Sequence, residues 1–347
     1  MTQPLFFLVA LLSAVLPTAP RIPTGDHPAS EEAFAKAVGL RKVSLFRAPG
    51  LEFWCQDPAL LKKLEKPVLQ AWELSGSWFG KLETPGDIPT RVVLLSSEKA
   101  LRAYAGLAAA EAQRLGVPAP GPAFFDGAVH SGSGLWTLPP LLLLDSRVLK
   151  GNLLLTRLIH DLSVSRAGFA LNPRGVAPPP FFAEGLAGML VRRVVKKPAA
   201  LVSHEQAAVS SQIHGYGVFA GIGSKLNDNS NHPGNWPGVV RQGVKAMRKK
   251  KEIDPQARID ALFLRGPGGF ARSDYALAWA ALEFLLGPER RPAVLQVLQD
   301  LRASKENLDA GHLARRFHDS LLKRLSATPE ELQAAFLDWV ENEMPRR

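Results

Sequence analysis

The sequence contains one cysteine, Cys55, among 347 residues, so the chain cannot form an intrachain disulfide. Phe53 and Trp54 precede it, and this apolar setting predicts a buried strand in which the thiol packs as a small hydrophobic group. We therefore do not expect Cys55 to be a nucleophile. The cysteine count is compatible with either an exported or an intracellular protein.

Long hydrophobic runs are also scarce. The run from Pro4 to Leu16 is shorter than the roughly 20 residues of a membrane-spanning helix. Small residues and prolines follow it, so we expect residues 1–19 to be a signal peptide and the protein to be exported (periplasmic, cell-surface or secreted). The segment before the run lacks Lys and Arg, and Pro20 follows the expected cleavage residue Ala19. There are two alternatives. One is an uncleaved N-terminal anchor, which is the one membrane contact we consider, and the other is an N-terminal core helix.

Acidic residues are outnumbered: 42 Lys and Arg face 32 Asp and Glu, giving a net charge of +10. This excess favours weak contacts with anionic surfaces or polymers. Lys245 and residues 248–251 form a basic cluster, which we interpret as a solvated helix end in preference to a phosphate-binding surface. It lacks interleaved aromatic residues and zinc-finger spacing, so no specific nucleic-acid partner is expected.

Two familiar catalytic motifs are missing. Residues 131–134 read Ser-Gly-Ser-Gly and lack the G-x-S-x-G elbow of serine hydrolases. Residues 215–221 match a dinucleotide fingerprint only superficially, because no strand precedes them and no helix follows. Serine hydrolysis and dinucleotide binding are therefore not predicted.

The chain does contain alternating strand and helix patterns between residues 43 and 145. They predict a hairpin at Val43–Gln56 turning at Pro49 and Gly50, a helix from Asp57 to about Gly80, a strand at Arg91–Leu95, a helix from Ser97 through Leu115, and strands at Ala123–Ala128 and Leu135–Leu144. Helical patterns dominate afterwards, including helices that begin at Ser273 and at a capping box from Thr328 to Glu331. We predict an α+β fold with a linker at 20–38, a small α/β sheet domain at 39–150 and a mainly helical domain at 151–347.

One helix carries the most informative pattern. Leu155, Leu158, Ile159 and Leu162 recur at i, i+3, i+4 and i+7 and predict a buried stripe. Beside it the sequence reads His160, Asp161, Leu162, Ser163, Val164. In the motif H-E-x-x-H, two histidines one turn apart bind zinc and the glutamate is the general base for metal-bound water. Here the first histidine is present, the acid is one methylene shorter, and valine replaces the second histidine.

Downstream, the segment FFAEGLAGML includes Glu184 after the prolines at 178–180, and we expect this glutamate in the first turn of a helix. The two segments in this order resemble the exported peptidase-MA-like (gluzincin) families, including DUF1570-type domains. The resemblance implies a zincin-like architecture, with His160 and Glu184 at metal-ligand positions and Asp161 at the general-base position. It also implies that Tyr275, on the Ser273 helix, lies near the cleft and donates a hydrogen bond into it.

Each of these residues also has a purely structural interpretation. Asp161 follows Arg157 by four residues, a spacing that suits an ion pair on a helix. An acid early in a helix, such as Glu184, is stabilised by the helix dipole. Tyr275 is more commonly a core aromatic residue whose hydroxyl is hydrogen-bonded, and we favour that role for it.

Valine offers no lone pair, and a catalytic zinc needs three protein ligands. The side chain of Asp161 is one methylene shorter than that of glutamate. Its carboxylate therefore ends about one carbon–carbon bond short of the position from which a glutamate would reach the metal-bound water. We therefore expect a noncatalytic, metallopeptidase-like protein that binds or scaffolds an unidentified protein or peptide, with no cofactor. The first alternative is an active zinc peptidase whose third ligand is His204, His214 or His232; the second is a basic module that binds anionic polymers.

Overall fold

The computed structural model describes residues 30–79, 88–171, 178–200, 232–249, 258–266, 270, 272–304, 306 and 308–344. The expected signal peptide at 1–19, the first part of the linker, His204 and His214 lie outside these ranges. So do the superficial dinucleotide fingerprint and the last two lysines of the basic cluster. Within the described ranges, none of the helices combines the length and the apolar character needed to cross a membrane.

One sheet of five strands forms the first half of the described chain. The strands are β1 (Ser44–Ala48), β2 (Leu51–Cys55), β3 (Thr90–Leu95), β4 (Ser133–Trp136) and β5 (Leu141–Asp145), in the spatial order β1-β2-β3-β5-β4. The inner strands β2, β3 and β5 are parallel, and β1 and β4 add antiparallel edges. The parallel strands are almost fully buried, as expected for a sheet covered on both faces.

The predicted hairpin is confirmed, because β1 pairs with β2 through a turn in which Gly50 has φ of +71°. Cys55 ends β2 in the core, as its apolar neighbours indicated. Burial raises the pKa of its thiol to about 11, so the thiolate is not populated at neutral pH.

Twelve α-helices lie in the described part of the chain. They are α1 (Glu31–Ala37), α2 (Pro58–Phe79), α3 (Glu98–Leu115), α4 (Pro122–Ser131), α5 (Gly151–Leu171), α6 (Pro180–Val194), α7 (Trp236–Arg248), α8 (Ile259–Phe263), α9 (Arg272–Leu285), α10 (Arg291–Ala303), α11 (Ala310–Leu325) and α12 (Pro329–Asn342). Local chemistry sets several boundaries. The Asp57 carboxylate accepts from the first amides of α2, Ser97 caps α3, and Thr328 with Glu331 forms the predicted capping box of α12. The fold is mixed α and β with helix predominating.

The two faces of the sheet belong to different hydrophobic clusters. One cluster places Trp54, Val93 and Leu143 against α1, α3 and α4. The other begins at Phe53 and Val92, continues through α2, α5 and α6, and extends into the C-terminal helices. Because this second cluster crosses residue 150, the sheet and the helical part share a core, and their division into two domains stays a prediction.

Two strand predictions need correction. Residues 123–128 lie in helix α4, where Pro122 takes the first helical position and Gly132 ends the helix in the left-handed conformation. The paired apolar residues Phe124 and Phe125 suggested a strand, yet their spacing also fits a helix packed on β4. The segment 135–144 is not one interrupted strand, since residues 137–140 connect the antiparallel strands β4 and β5.

The segment predicted as a linker also contains ordered structure. Ser30 caps α1, and the Phe34 ring stacks on Trp54 with centroids 4.4 Å apart. Phe34 is fully buried, so residues 31–37 belong to the core on that face of the sheet. Phe34 is the single aromatic residue of this seven-residue helix, and one such residue is too weak a periodic signal to predict it.

Candidate functional site

Helix α5 presents two distinct faces. Its predicted apolar stripe is confirmed, because Leu158, Ile159 and Leu162 are buried in the main core. Arg157, His160, Asp161 and Val164 follow the same i, i+3, i+4, i+7 spacing and share the neighbouring face. The motif residues therefore lie on one side of the helix.

Helix α6 packs against α5 and carries Glu184. The helix begins at Pro180, so Glu184 lies in its second turn and the first turn has no acid. Our expectation of a first-turn glutamate stabilised by the helix dipole was therefore wrong, since that effect fades beyond the first turn. Gly185 lets α6 approach α9 closely: an added Cβ atom would lie 2.6 Å from the Ala278 carbonyl oxygen.

The two helices bring the predicted ligand residues together. His160 Nε2 lies 2.9 Å from Glu184 Oε2, and His160 Nδ1 lies 2.9 Å from Asp161 Oδ1. The imidazole is 8% exposed and so depends on these two carboxylates for its polar contacts. His160 therefore bridges an acid of its own helix and an acid of the next.

Arg157 extends this hydrogen-bonded chain. Its Nε atom lies 3.0 Å from Asp161 Oδ2, which confirms the ion pair indicated by their spacing. The same Nε atom lies 3.0 Å from the hydroxyl oxygen of Ser133, the first residue of edge strand β4. Sequence reasoning did not place Ser133 here, and no local motif links it to α5.

Electrostatics favour charged forms of these groups. Burial alone would lower the pKa of His160, but the adjacent Glu184 and Asp161 carboxylates outweigh it and raise the pKa to about 9. Burial acts to raise the pKa of Asp161, but Arg157 and His160 overcome this and lower it. At neutral pH His160 is therefore protonated and Asp161 is ionised.

Tyr275 is on α9, which packs against α6. Its ring meets Phe270 edge-on, with centroids 5.5 Å apart. Burial, followed by the charge of Glu184, raises the pKa of its hydroxyl, so the phenol stays protonated. The favoured sequence interpretation was a hydrogen-bonded core residue. Among the described residues the hydroxyl has no hydrogen-bond partner, and Tyr275 is partly buried.

The part of the site that the structure describes offers zinc two protein ligands. Among the described residues, no three His, Cys, Asp or Glu side chains are grouped so as to hold a metal. His160 and Glu184 offer two ligands, and Val164 occupies the position one turn away from the histidine. Asp161 turns one oxygen to His160 and the other to Arg157. Of the histidines considered as replacement ligands, His232 is exposed beside a short 3-10 helix.

The described part of the basic cluster lies at the end of α7. It consists of Lys245, Arg248 and Lys249 and is far in sequence from His160 and Glu184. Arg248 forms ion pairs with Asp338 and Glu341 of α12. Lys245 and Lys249 are exposed. Part of the cluster's charge therefore links two helices of the fold.

Comparison with known protein families, with curated proteins and with solved structures found no match to this chain. The resemblance to peptidase-MA-like proteins thus rests on the order and chemistry of the residues around His160 and Glu184.

Proposed function

We propose that this chain is an exported, noncatalytic protein with a gluzincin-like arrangement of helices, and that it acts by binding or scaffolding. The observation that carries the proposal is the imidazole of His160, whose two nitrogens both contact carboxylates. His160, Asp161 and Glu184 are each engaged with another protein group, and the second histidine position holds valine.

The proposed loss of catalysis follows from the state of Asp161. A general base needs an accessible lone pair and a pKa near the working pH. Both oxygens of this carboxylate accept hydrogen bonds, and its pKa is lowered. Asp161 is therefore a poor proton acceptor at neutral pH.

The proposed loss of zinc follows from charge as well as from ligand number. A protonated His160 pairs with Glu184 directly, so this partly exposed acid needs no metal ion as its counter-charge. Zinc would have to displace that proton and break the contact with Glu184, and it would gain only two protein ligands. This competition between zinc and the proton on His160 supports a site that acts without a metal.

Zinc titration of Val164→His tests the proposal. One imidazole ligand is worth about 3 kcal/mol, taking the roughly 10–16 kcal/mol of structural zinc sites over four ligands, so we expect at least about a hundredfold tighter binding than in the parent. Val194→His is the control, because Val194 is also half-buried but lies near the far end of α6. Equal zinc affinity in a folded Val164→His protein and its parent would show that His160 and Glu184 do not define a metal position.

Activity gives an independent test. The parent chain should show no chelator-sensitive hydrolysis of protein or peptide substrates, and it should contain no stoichiometric zinc after purification without chelators. One zinc per chain, with hydrolysis abolished by His160→Ala, would overturn the proposal. That result would favour a rebuilt site that uses one of the other histidines.

A further inference from the structure

Three polar groups near His160 have atoms without a hydrogen-bond partner among the described residues. The first is the outer part of the Arg157 guanidinium. Only its Nε atom is engaged, whereas Nη1 and Nη2 have no acceptor within the described residues. The Arg157 side chain as a whole is 30% exposed.

The second and third groups are Glu184 Oε1 and the Tyr275 hydroxyl. Glu184 contacts His160 through Oε2, and in the described chain its other oxygen has no donor, while the side chain is 21% exposed. Hydrogen bonds link Arg157 to Glu184 through Asp161 and His160. Helix α9 meets α6 where Ala278 approaches Gly185, next to Glu184 and one turn from Tyr275. Helices α5, α6 and α9 thus direct a cationic fork, an acceptor and a hydroxyl to one region.

Arg157 is held in place before any ligand arrives. Ser133 on β4 and Asp161 on α5 fix its Nε atom from two elements, which orients the plane of the guanidinium. A planar pair of amino groups matches the two oxygens of a carboxylate. This restraint lowers the entropy lost on binding, and it is absent from a freely moving surface arginine.

Charge balance favours a monoanion. An added carboxylate brings one negative charge close to the Asp161 and Glu184 side chains. A dianionic phosphate would bring two and meet more repulsion there. The half-buried Val164 side chain lies on the same face of α5 and offers an apolar contact beside the polar groups.

We propose that the partly exposed site formed by Arg157, Glu184 and Tyr275 binds the free carboxylate of an N-acylated amino acid, as at the C-terminus of a peptide, with Arg157 as the anchor. Tyr275 and Glu184 Oε1 then serve the polar groups next to that carboxylate. The inference deepens the proposed binding function and rests on it, because it assigns this site a ligand and no reaction.

The test uses N-acetyl-L-phenylalanine and its C-terminal amide, titrated into the metal-free full chain by calorimetry or ligand-observed NMR. A bidentate arginine–carboxylate contact predicts about tenfold or greater preference for the acid. Arg157→Gln should abolish that preference, and Tyr275→Phe should weaken binding of the acid by a few-fold. Arg193→Gln is the matched control: Arg193 is a half-exposed arginine on α6 that pairs with Glu283, and its loss should leave the preference intact.

A second variant guards against misfolding of Arg157→Gln. Arg157→Lys retains the positive charge for Asp161 but lacks the planar fork, so we expect a folded protein with most of the preference lost. Equal binding of acid and amide by the parent, or an unchanged preference in Arg157→Lys, would overturn the inference and leave the noncatalytic function standing. A preference that appears only with added zinc would instead contradict the proposed metal-free function.

Discussion

Two histidines in this protein lie between two carboxylates, and they differ in what else those carboxylates contact. His160 on α5 is 2.9 Å from both Asp161 and Glu184. His318 on α11 is 2.7 Å from Asp319, but its Nε2 atom is 3.7 Å from Asp260, beyond hydrogen-bonding distance. Acidic neighbours raise the pKa of both imidazoles, yet only His160 makes two hydrogen bonds to carboxylates.

The acids around His318 have other means of stabilisation. Asp260 pairs with Arg258 at 3.0 Å, and Asp319 is 75% exposed and therefore hydrated. Glu184, in contrast, has His160 as its ion-pair partner among the described residues. The same side-chain types thus give a partly hydrated cluster that includes Arg258 in one place and a dedicated connection between α5 and α6 in the other.

Removing each histidine should break this comparison most clearly. His160→Ala leaves Asp161 and Glu184 without their common cation, and we expect it to lower the free energy of unfolding by about 3–5 kcal/mol. His318→Ala should cost about 1–2 kcal/mol, because Arg258 and water still serve the acids. Urea unfolding of both variants at pH 7 measures the difference, and equal losses would show that the His160 contacts are not special.

The pH dependence of stability should sharpen the same contrast. The pKa of His160 rises from its ordinary 6.5 to about 9 on folding, so its stabilisation is complete below pH 6.5 and is lost as the pH rises through 9. The shift corresponds to about 3 kcal/mol. We expect unfolding curves between pH 6 and pH 9.5 to show this loss in the parent.

Two glutamine variants test which histidine causes that loss of stability at alkaline pH. His160→Gln should flatten the alkaline limb of the stability profile, and His318→Gln should retain most of it. His318 contributes with the same sign, since its pKa is also raised, chiefly by Asp260. A profile that His318→Gln flattens and His160→Gln leaves unchanged would reverse the assignment.

The sequence predicted those parts of the fold that depend on local chemistry. The hairpin turn at Gly50, the caps at Asp57 and Ser97 and the Thr328 capping box act within a few residues, and all are present. Helix α4 was missed because a few aromatic residues fit either period, and packing on β4 decided between them. Local propensity is a weak guide where tertiary contacts choose the element.

The site was predictable in its members but not in its connections. The order of the motifs put His160 and Glu184 into one hypothesis, and the structure brings their side chains together. The spacing of Arg157 and Asp161 indicated their ion pair, but the contact that holds Arg157 on Ser133 of strand β4 was not predictable. Such contacts between distant segments leave no periodic pattern in the sequence.

The smallest effect expected concerns Asp319, and it gives the most direct control for the comparison. A double-mutant cycle on His318 and Asp319 should give a coupling energy under about 0.5 kcal/mol, since water screens an acid that is 75% exposed. The matching cycle on His160 and Glu184 should give about 1–3 kcal/mol, the upper range for contacting residues, because the imidazole is buried. If the two cycles gave the same coupling, burial would not explain the difference between the clusters. The contact between His160 and Glu184 would then be an ordinary surface ion pair. A protonated His160 would in that case stabilise the site too little to replace a metal ion.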